Sequence, residues 1–198
     1  MHSHTLTIRS IEGNFGRKFI GIAGLIIKEK FEVEDLIRRI KSIANKHNVI
    51  IQAVDSRAII SLRQVFSAVF KALRAFHDGR NTCEKLEIEF LLYLSGKRQI
   101  RDAIEAIGIK GNMERIALIV IGESYDDVNS TIIDVLNNIN GIIDSSFLEF
   151  NEDKLKFLRK VFEISDNEIN AIKRSDLSLL EIIERLIIER GALIDVQK

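Results

Sequence analysis

Proline is absent from this 198-residue chain, so one common mark of a linker is missing and boundaries have to be sought in composition and charge. The single cysteine, Cys83, excludes an internal disulfide, and no Cys-x-x-Cys or Cys/His cluster suggests zinc. No uninterrupted apolar run approaches the roughly 20 residues of a membrane-spanning helix. The polar start Met1-His-Ser-His4 lacks the basic and apolar regions of a secretory signal, so a cytoplasmic location is expected, with His2 and His4 in a frayed terminus. Catalytic signatures are missing too: there is no Gly-x-Ser-x-Gly elbow, His-Glu-x-x-His pair, paired-glycine dinucleotide motif or Walker loop. Gly96-Lys97 is followed by Arg98, and Leu91 stands where a Walker loop needs glycine. Glu87 and Glu89, two residues apart on a helix, point to different sides and make a poor acid–base pair.

What is present is an ordinary globular composition, 46% hydrophobic and 29% charged. It suits a single domain over residues 1–198, with an α+β core over 1–150 and a helical C-terminal extension over 151–198. The formal net charge is zero, yet the charges are segregated. Arg57, Arg63, Lys71, Arg74, Arg80, Lys97, Arg98 and Arg101 fill the middle third, whereas Glu123 to Asp153 contains acids and no Lys or Arg.

The expected fold class is α+β, a mixed β-sheet packed with several α-helices and a helical C-terminal segment. Thr5–Ile11 and Phe19–Ile27 read as a hairpin about the Gly13–Gly16 turn, which is not a phosphate loop because no GK[ST] follows. A helix over 32–46 and a strand over 49–54 follow. The next helix starts at Ser61 with Gln64 as a capping box and runs to Phe76 or His77. Its apolar arc is Leu62, Val65, Phe66, Val69, Phe70, Leu73 and Phe76, flanked by Ala68, Ala72 and Ala75. Arg63, Ser67, Lys71 and Arg74 fill the rest, either as a solvated face or as an anion-binding stripe. Arg115–Ile121 reads as a strand buried on both faces, Ser124 starts a helix, and Ile142–Phe150 reads as a final strand. Asn151, Ser165 with Glu168, and Asp176 or Ser178 begin the last three helices.

The stretch Leu86–Ile100 is the most informative. Its apolar run is a helix buried on most sides, ended by Ser95-Gly96, and Ile100, Ala103, Ile104 and Ile107 give the next helix its apolar face up to Gly108. Lys97 and Arg98 therefore stand at a helix N-terminus, where cations oppose the macrodipole by roughly 0.3–1 kcal/mol each. Either they are solvated surface charges, or with Gly96 and the free N–H groups they form a phosphate or carboxylate site. Glu89, among apolar neighbours, needs a cation or backbone N–H partner, expected near Gly96–Arg98, and a structural role.

Val65–Phe76, Arg80-Asn81, Leu86–Ile100 and Ala103–Gly108 together resemble the Cgi-type subunits of the KEOPS (EKC) complex, most specifically at Glu89, Leu91-Leu92, Ser95-Gly96, Arg98-Gln99-Ile100 and Gly108. The likeness covers roughly 54–122. It implies a non-catalytic accessory subunit with no cofactor. Such a subunit binds the N-terminal lobe of the complex's small atypical kinase, supports its ATPase activity, and helps present tRNA to the threonylcarbamoyl transferase subunit. It also implies binding of the single-stranded 3′ CCA end of tRNA, in the synthesis of threonylcarbamoyladenosine. Under that resemblance the RNA-facing residues are Lys71, Arg74, Arg80, Asn81, Gly96, Lys97, Arg98, Gln99 and Ile100. The candidate kinase surface is the C-terminal helix, through Leu177, Leu186, Ile187 and Ile188, because its apolar residues exceed one stripe and Leu177 and Ile188 fall outside the main arc. The same helix could instead simply pack on the domain. The alternative function is an enzyme that binds a nucleotide or phosphate ligand through Gly96-Lys97-Arg98-Gln99.

Overall fold

The computed structural model describes residues 6–111 and 113–196, so His2, His4 and the expected strand start at Thr5 lie outside the described residues. In chain order the elements begin with β1 (Leu6–Gly13), β2 (Gly16–Ile27), α1 (Val33–His47) and β3 (Ile50–Asp55). A short 3-10 turn, Ser56–Ala58, precedes α2 (Leu62–His77), α3 (Leu86–Ser95), α4 (Ile100–Ile107) and β4 (Arg115–Gly122). The remaining elements are α5 (Tyr125–Asn138), β5 (Gly141–Ile143), α6 (Glu152–Val161), α7 (Asp166–Ile172) and α8 (Leu179–Leu193). No helix among the described residues is long and apolar enough to cross a membrane. Two compact units result, each built from two separated stretches: the residues up to Ser56 with Gly108–Leu148, and Arg57–Ile107 with the residues from Glu149 onward.

The fold class is α+β, as expected. In the first unit β1 and β2 form the hairpin, closed by the Gly13–Gly16 pair. The strand order is β1-β2-β4-β3, with β5 on the end of β2, and every one of these pairings is antiparallel. A mixed sheet is therefore not what forms. β2 and β3 do run parallel, joined through α1, but β4 lies between them in the opposite direction. All of β4 except Arg115 is buried, the two-sided burial its apolar run implied. α1 and α5 cover one face, where Leu36, Ile40, Ile43, Val128, Ile132 and Val135 pack with Leu25, Leu118 and Val120. Each such side chain taken out of water contributes about 1.5–3 kcal/mol. The strand expected over 142–150 stops at Ile143, because the Asp144 carboxylate accepts the Ser146 N–H at 2.9 Å and turns the chain.

The second unit is helical. Ser61 caps α2 by accepting the Gln64 N–H at 3.1 Å, but the capping box is incomplete. The Gln64 side chain bonds the Ile60 N–H at 2.9 Å, one residue ahead of the cap, and donates to the Ala58 carbonyl at 3.1 Å. Ser165 and Ser178 both form full capping boxes, with Glu168 and Glu181, and start α7 and α8. The buried face of α2 is rotated toward its small residues: Ala68, Ala72 and Ala75 are buried, whereas Phe70 is 37% exposed and His77 lies at the surface. α3 is buried from Glu89 to Ser95. Leu158, Phe162, Ile182, Ile183, Leu186 and Ile187 form a core with Ile60.

Candidate nucleic-acid interface

α3 stops at Gly96, which adopts the left-handed conformation with φ 65°. A Cβ added there would lie 2.8 Å from the Arg190 Cβ, and one added at Gly191 would lie 2.4 Å from the Tyr93 carbonyl oxygen. α3 and α8 therefore meet backbone to backbone, an approach that a side chain at either glycine would block. This contact sets the Ser95–Lys97 turn against Phe162, Glu163, Arg190 and Leu193 around a recess of about 190 Å³.

Within that turn the buried Ser95 hydroxyl accepts the Lys97 N–H at 3.2 Å and donates to the Leu92 carbonyl at 3.2 Å. The Lys97 ammonium is ion-paired with Glu163, and that bond holds the Glu163 carboxyl below its ordinary range. Glu163 itself has φ 53°, uncommon for a residue with a side chain. Arg190 donates to the Glu163 carbonyl at 3.0 Å and to the Glu168 carboxylate at 2.7 Å. An acid thus lines the recess beside Gly96, and the Lys97 N–H is already used, which leaves little there for a small phosphate ligand.

Lys97 and Arg98 part company. Lys97 turns to an internal acid, while Arg98, Gln99 and Ile100 are exposed. α4 buries only Ala103 and Ile107 of its expected apolar face, leaving Ile100 44% and Ile104 48% exposed beside Arg98 and Arg101.

The α2 stripe is also engaged. Arg63 pairs with Glu184 of α8 at 2.9 Å, Arg74 pairs with Asp195 at 2.8 Å, and the Lys71 ammonium bonds the Ser67 hydroxyl. The Tyr93 hydroxyl donates to the same Asp195 carboxylate. Burial first, and then that bond, push the hydroxyl far above its ordinary pKa, so it stays a neutral donor. Arg80 pairs with Asp78 at 2.8 Å, and the Asn81 amide donates to the Cys83 carbonyl at 2.9 Å. Glu89 is fully buried, and its carboxylate accepts the Thr82 and Cys83 N–H groups at 2.9 Å each. Those backbone donors belong to the α2–α3 connection, which carries Arg80 and Asn81, and not to the 96–98 turn where a partner was expected.

On α8, Leu186 and Ile187 are core residues at 4% and 2% exposure, not surface residues, because the stripe is wide enough to pack against α6 and the chain beyond it. Leu177 does not belong to the helix as expected, because the Ser178 cap starts α8 after it; it is half-buried against the same core, and Ile188 of α8 is half-buried too. The acids that meet the cations of the middle third, Glu163, Glu184 and Asp195, were not singled out from the sequence. They lie 66 to 121 residues from their partners, and no local pattern carries that pairing.

The family described as kinase-binding protein CGI-121 matches the chain over residues 29–195. The chain is similar to the regulatory protein Cgi121 of Methanocaldococcus jannaschii, 35% identical over 131 residues, 66% of this chain and 75% of that protein. It is also similar to the KEOPS complex subunit Cgi121 of Pyrococcus abyssi, 33% identical over 105 residues, 52% of this chain and 58% of that subunit. The EKC/KEOPS complex subunit CGI121 of Kluyveromyces lactis is 32% identical over 75 residues, 37% of this chain and 48% of that subunit. The matched stretch thus spans between about half and three quarters of these relatives' lengths.

Proposed function

Because the chain belongs to the CGI-121 family of kinase-binding proteins, we propose that it is a non-catalytic accessory subunit of a KEOPS-type complex. In this reading it binds the small atypical kinase of that complex and the single-stranded 3′ end of tRNA, and it acts with the transferase subunit in making threonylcarbamoyladenosine. The observation that carries the reading is the family match across residues 29–195.

The surface at the start of α4 supports the RNA half. Single-stranded bases need apolar or planar surfaces next to charges that meet phosphates, and Ile100 and Ile104 stand exposed beside Arg98, Gln99 and Arg101. For the kinase half, the candidate residues reduce to Leu177 and Ile188, the members of the set that reach the surface. Arg98→Glu tests the RNA surface: tRNA affinity should fall, and the log-affinity against log-salt slope should flatten by about 0.7 because one phosphate is no longer neutralised. An unchanged affinity and slope would remove Arg98 from the interface.

A further inference from the structure

Two helices aim donors at one carboxylate near the chain's end. Arg74 of α2 and the Tyr93 hydroxyl of α3 both bond Asp195, which lies past α8 in a turn held by its N–H to the Ala192 carbonyl at 3.2 Å. That carboxylate does not satisfy what surrounds it. The Arg74 Nε is buried and has no acceptor among the described residues. Lys71, one turn earlier on the same face of α2, bonds the Ser67 hydroxyl and no carboxylate among the described residues. Burial pushes the Lys71 ammonium below its ordinary pKa, with the Arg74 charge adding and Asp195 opposing. Arg80 stands close enough to feel the same carboxylate while it pairs with Asp78. One guanidinium and a neutral hydroxyl thus share the carboxylate, Lys71 and Arg80 stand near enough to feel its charge, and a buried guanidinium N–H has no acceptor among the described residues. A phosphate, with more acceptor oxygens, fits such a donor set better, since arginine meets it through parallel N–H bonds.

We propose that Arg74, Lys71 and the Tyr93 hydroxyl form a binding site for a phosphate group, held in this structure by the chain's own Asp195 carboxylate, and that a phosphate of an RNA strand displaces it. The identity of the strand rests on the RNA-binding reading above; the phosphate chemistry rests on the donors alone. Asp195 is then a built-in competitor that lowers affinity for RNA until a strand long enough to engage the neighbouring surface drives it out. Its release breaks one ion pair and one hydroxyl bond and leaves α8 intact.

The test compares the full native chain with Asp195→Asn, Asp195→Ala and Arg74→Gln, using a single-stranded RNA oligonucleotide and, separately, inorganic phosphate. Both Asp195 variants should bind the RNA about two- to fivefold more tightly, the size of a partly exposed ion pair. Their salt slopes should steepen by about 0.7, as expected when one further phosphate is neutralised. Inorganic phosphate should raise the melting temperature of the Asp195 variants more than that of the native chain, and Arg74→Gln should lose both effects. Should the new amide of Asp195→Asn keep its place on Arg74, Asp195→Ala removes the occupant altogether. Unchanged RNA affinity in both Asp195 variants, with weaker binding by Arg74→Gln, overturns the competition and leaves the RNA reading standing. RNA binding indifferent to all three substitutions overturns the site. If even the native chain binds no RNA, the RNA reading fails and the phosphate arm decides alone: protection of the Asp195 variants but not of Arg74→Gln supports the site, and its absence overturns it.

Discussion

Glu163 occupies a backbone position that favours glycine. It follows α6 in the left-handed region, where the Ile164 N–H reaches back to the Arg159 carbonyl at 2.9 Å to close the helix end. A side chain there costs about 1–2 kcal/mol, whereas the exposed pair it makes with Lys97 returns about 0–1 kcal/mol. Glu163→Ala keeps the strain and loses the pair; Glu163→Gly loses both. Glu163→Gly is therefore expected to have the higher urea midpoint of the two variants, and the reverse order would show that the turn is unstrained. Nearby Glu168 completes the capping box that Ser165 opens at α7, and its carboxyl is held down to about 2 by the Ser165 N–H first, then the Ser165 hydroxyl, then Arg190. Since the folded value lies below the ordinary 4.5, its stabilisation is complete above that pH and is lost as pH falls from 4.5 through 2. Glu168→Gln should melt lower than the native chain at neutral pH, with the gap closing over that acidic window. A gap constant from pH 7 to 2 would mean that the charge of Glu168 is not what stabilises. At this scale the sequence was readable where a residue acts on its own neighbours, as Ser165 with Glu168 or Gly96 after Ser95 do. It was silent on Asp195 and Arg74, which meet across 121 positions.

Elements were legible in kind and in most of their limits, and less so in the faces they bury. The hairpin, α1, the buried run of α3 and the two-sided burial of β4 follow from periodicity and apolar content. The buried face of α2 did not, because ranking residues by hydrophobicity puts Phe70 inside. Close helix packing selects Ala68, Ala72 and Ala75 instead, so Phe70 remains 37% exposed. A mixed sheet was expected from the β-α-β order, which correctly makes β2 and β3 parallel but does not reveal that β4 fills the gap between them. Gly191 gives the sharpest test of how closely α3 and α8 approach. Helix propensity alone would favour Gly191→Ala by about 1 kcal/mol. The new Cβ would lie 2.4 Å from the Tyr93 carbonyl oxygen, and forced overpacking typically costs about 1–3 kcal/mol, so net destabilisation is expected on chemical denaturation. A variant as stable as the native chain would show that the two helices can part without penalty.

Across the molecule the zero net charge conceals an exchange between stretches. Glu163, Glu184 and Asp195 of the C-terminal stretch meet Lys97, Arg63 and Arg74 of the middle third, so the basic stretch is partly neutralised from within. Under the proposed function a kinase and an RNA would need separate surfaces on this chain, and Ile188 is the place to divide them. Ile188→Glu should weaken kinase association by about 2 kcal/mol or more while leaving affinity for isolated tRNA unchanged. Pull-down and tRNA titration on the same preparation check both, and retained kinase binding would move that surface elsewhere. The place of β4 has a consequence for how the chain is made. β2 and β3 leave the ribosome well before it, with the facing edges of both strands lacking the partner that belongs between them. At ordinary elongation rates, roughly 5–20 s pass between the completion of β2 and that of β4. During that interval the backbone from Phe19 to Ile26 is an open template for any passing strand, so a slow codon or a pause before residue 122 should favour aggregation, and rapid completion of β4 should suppress it.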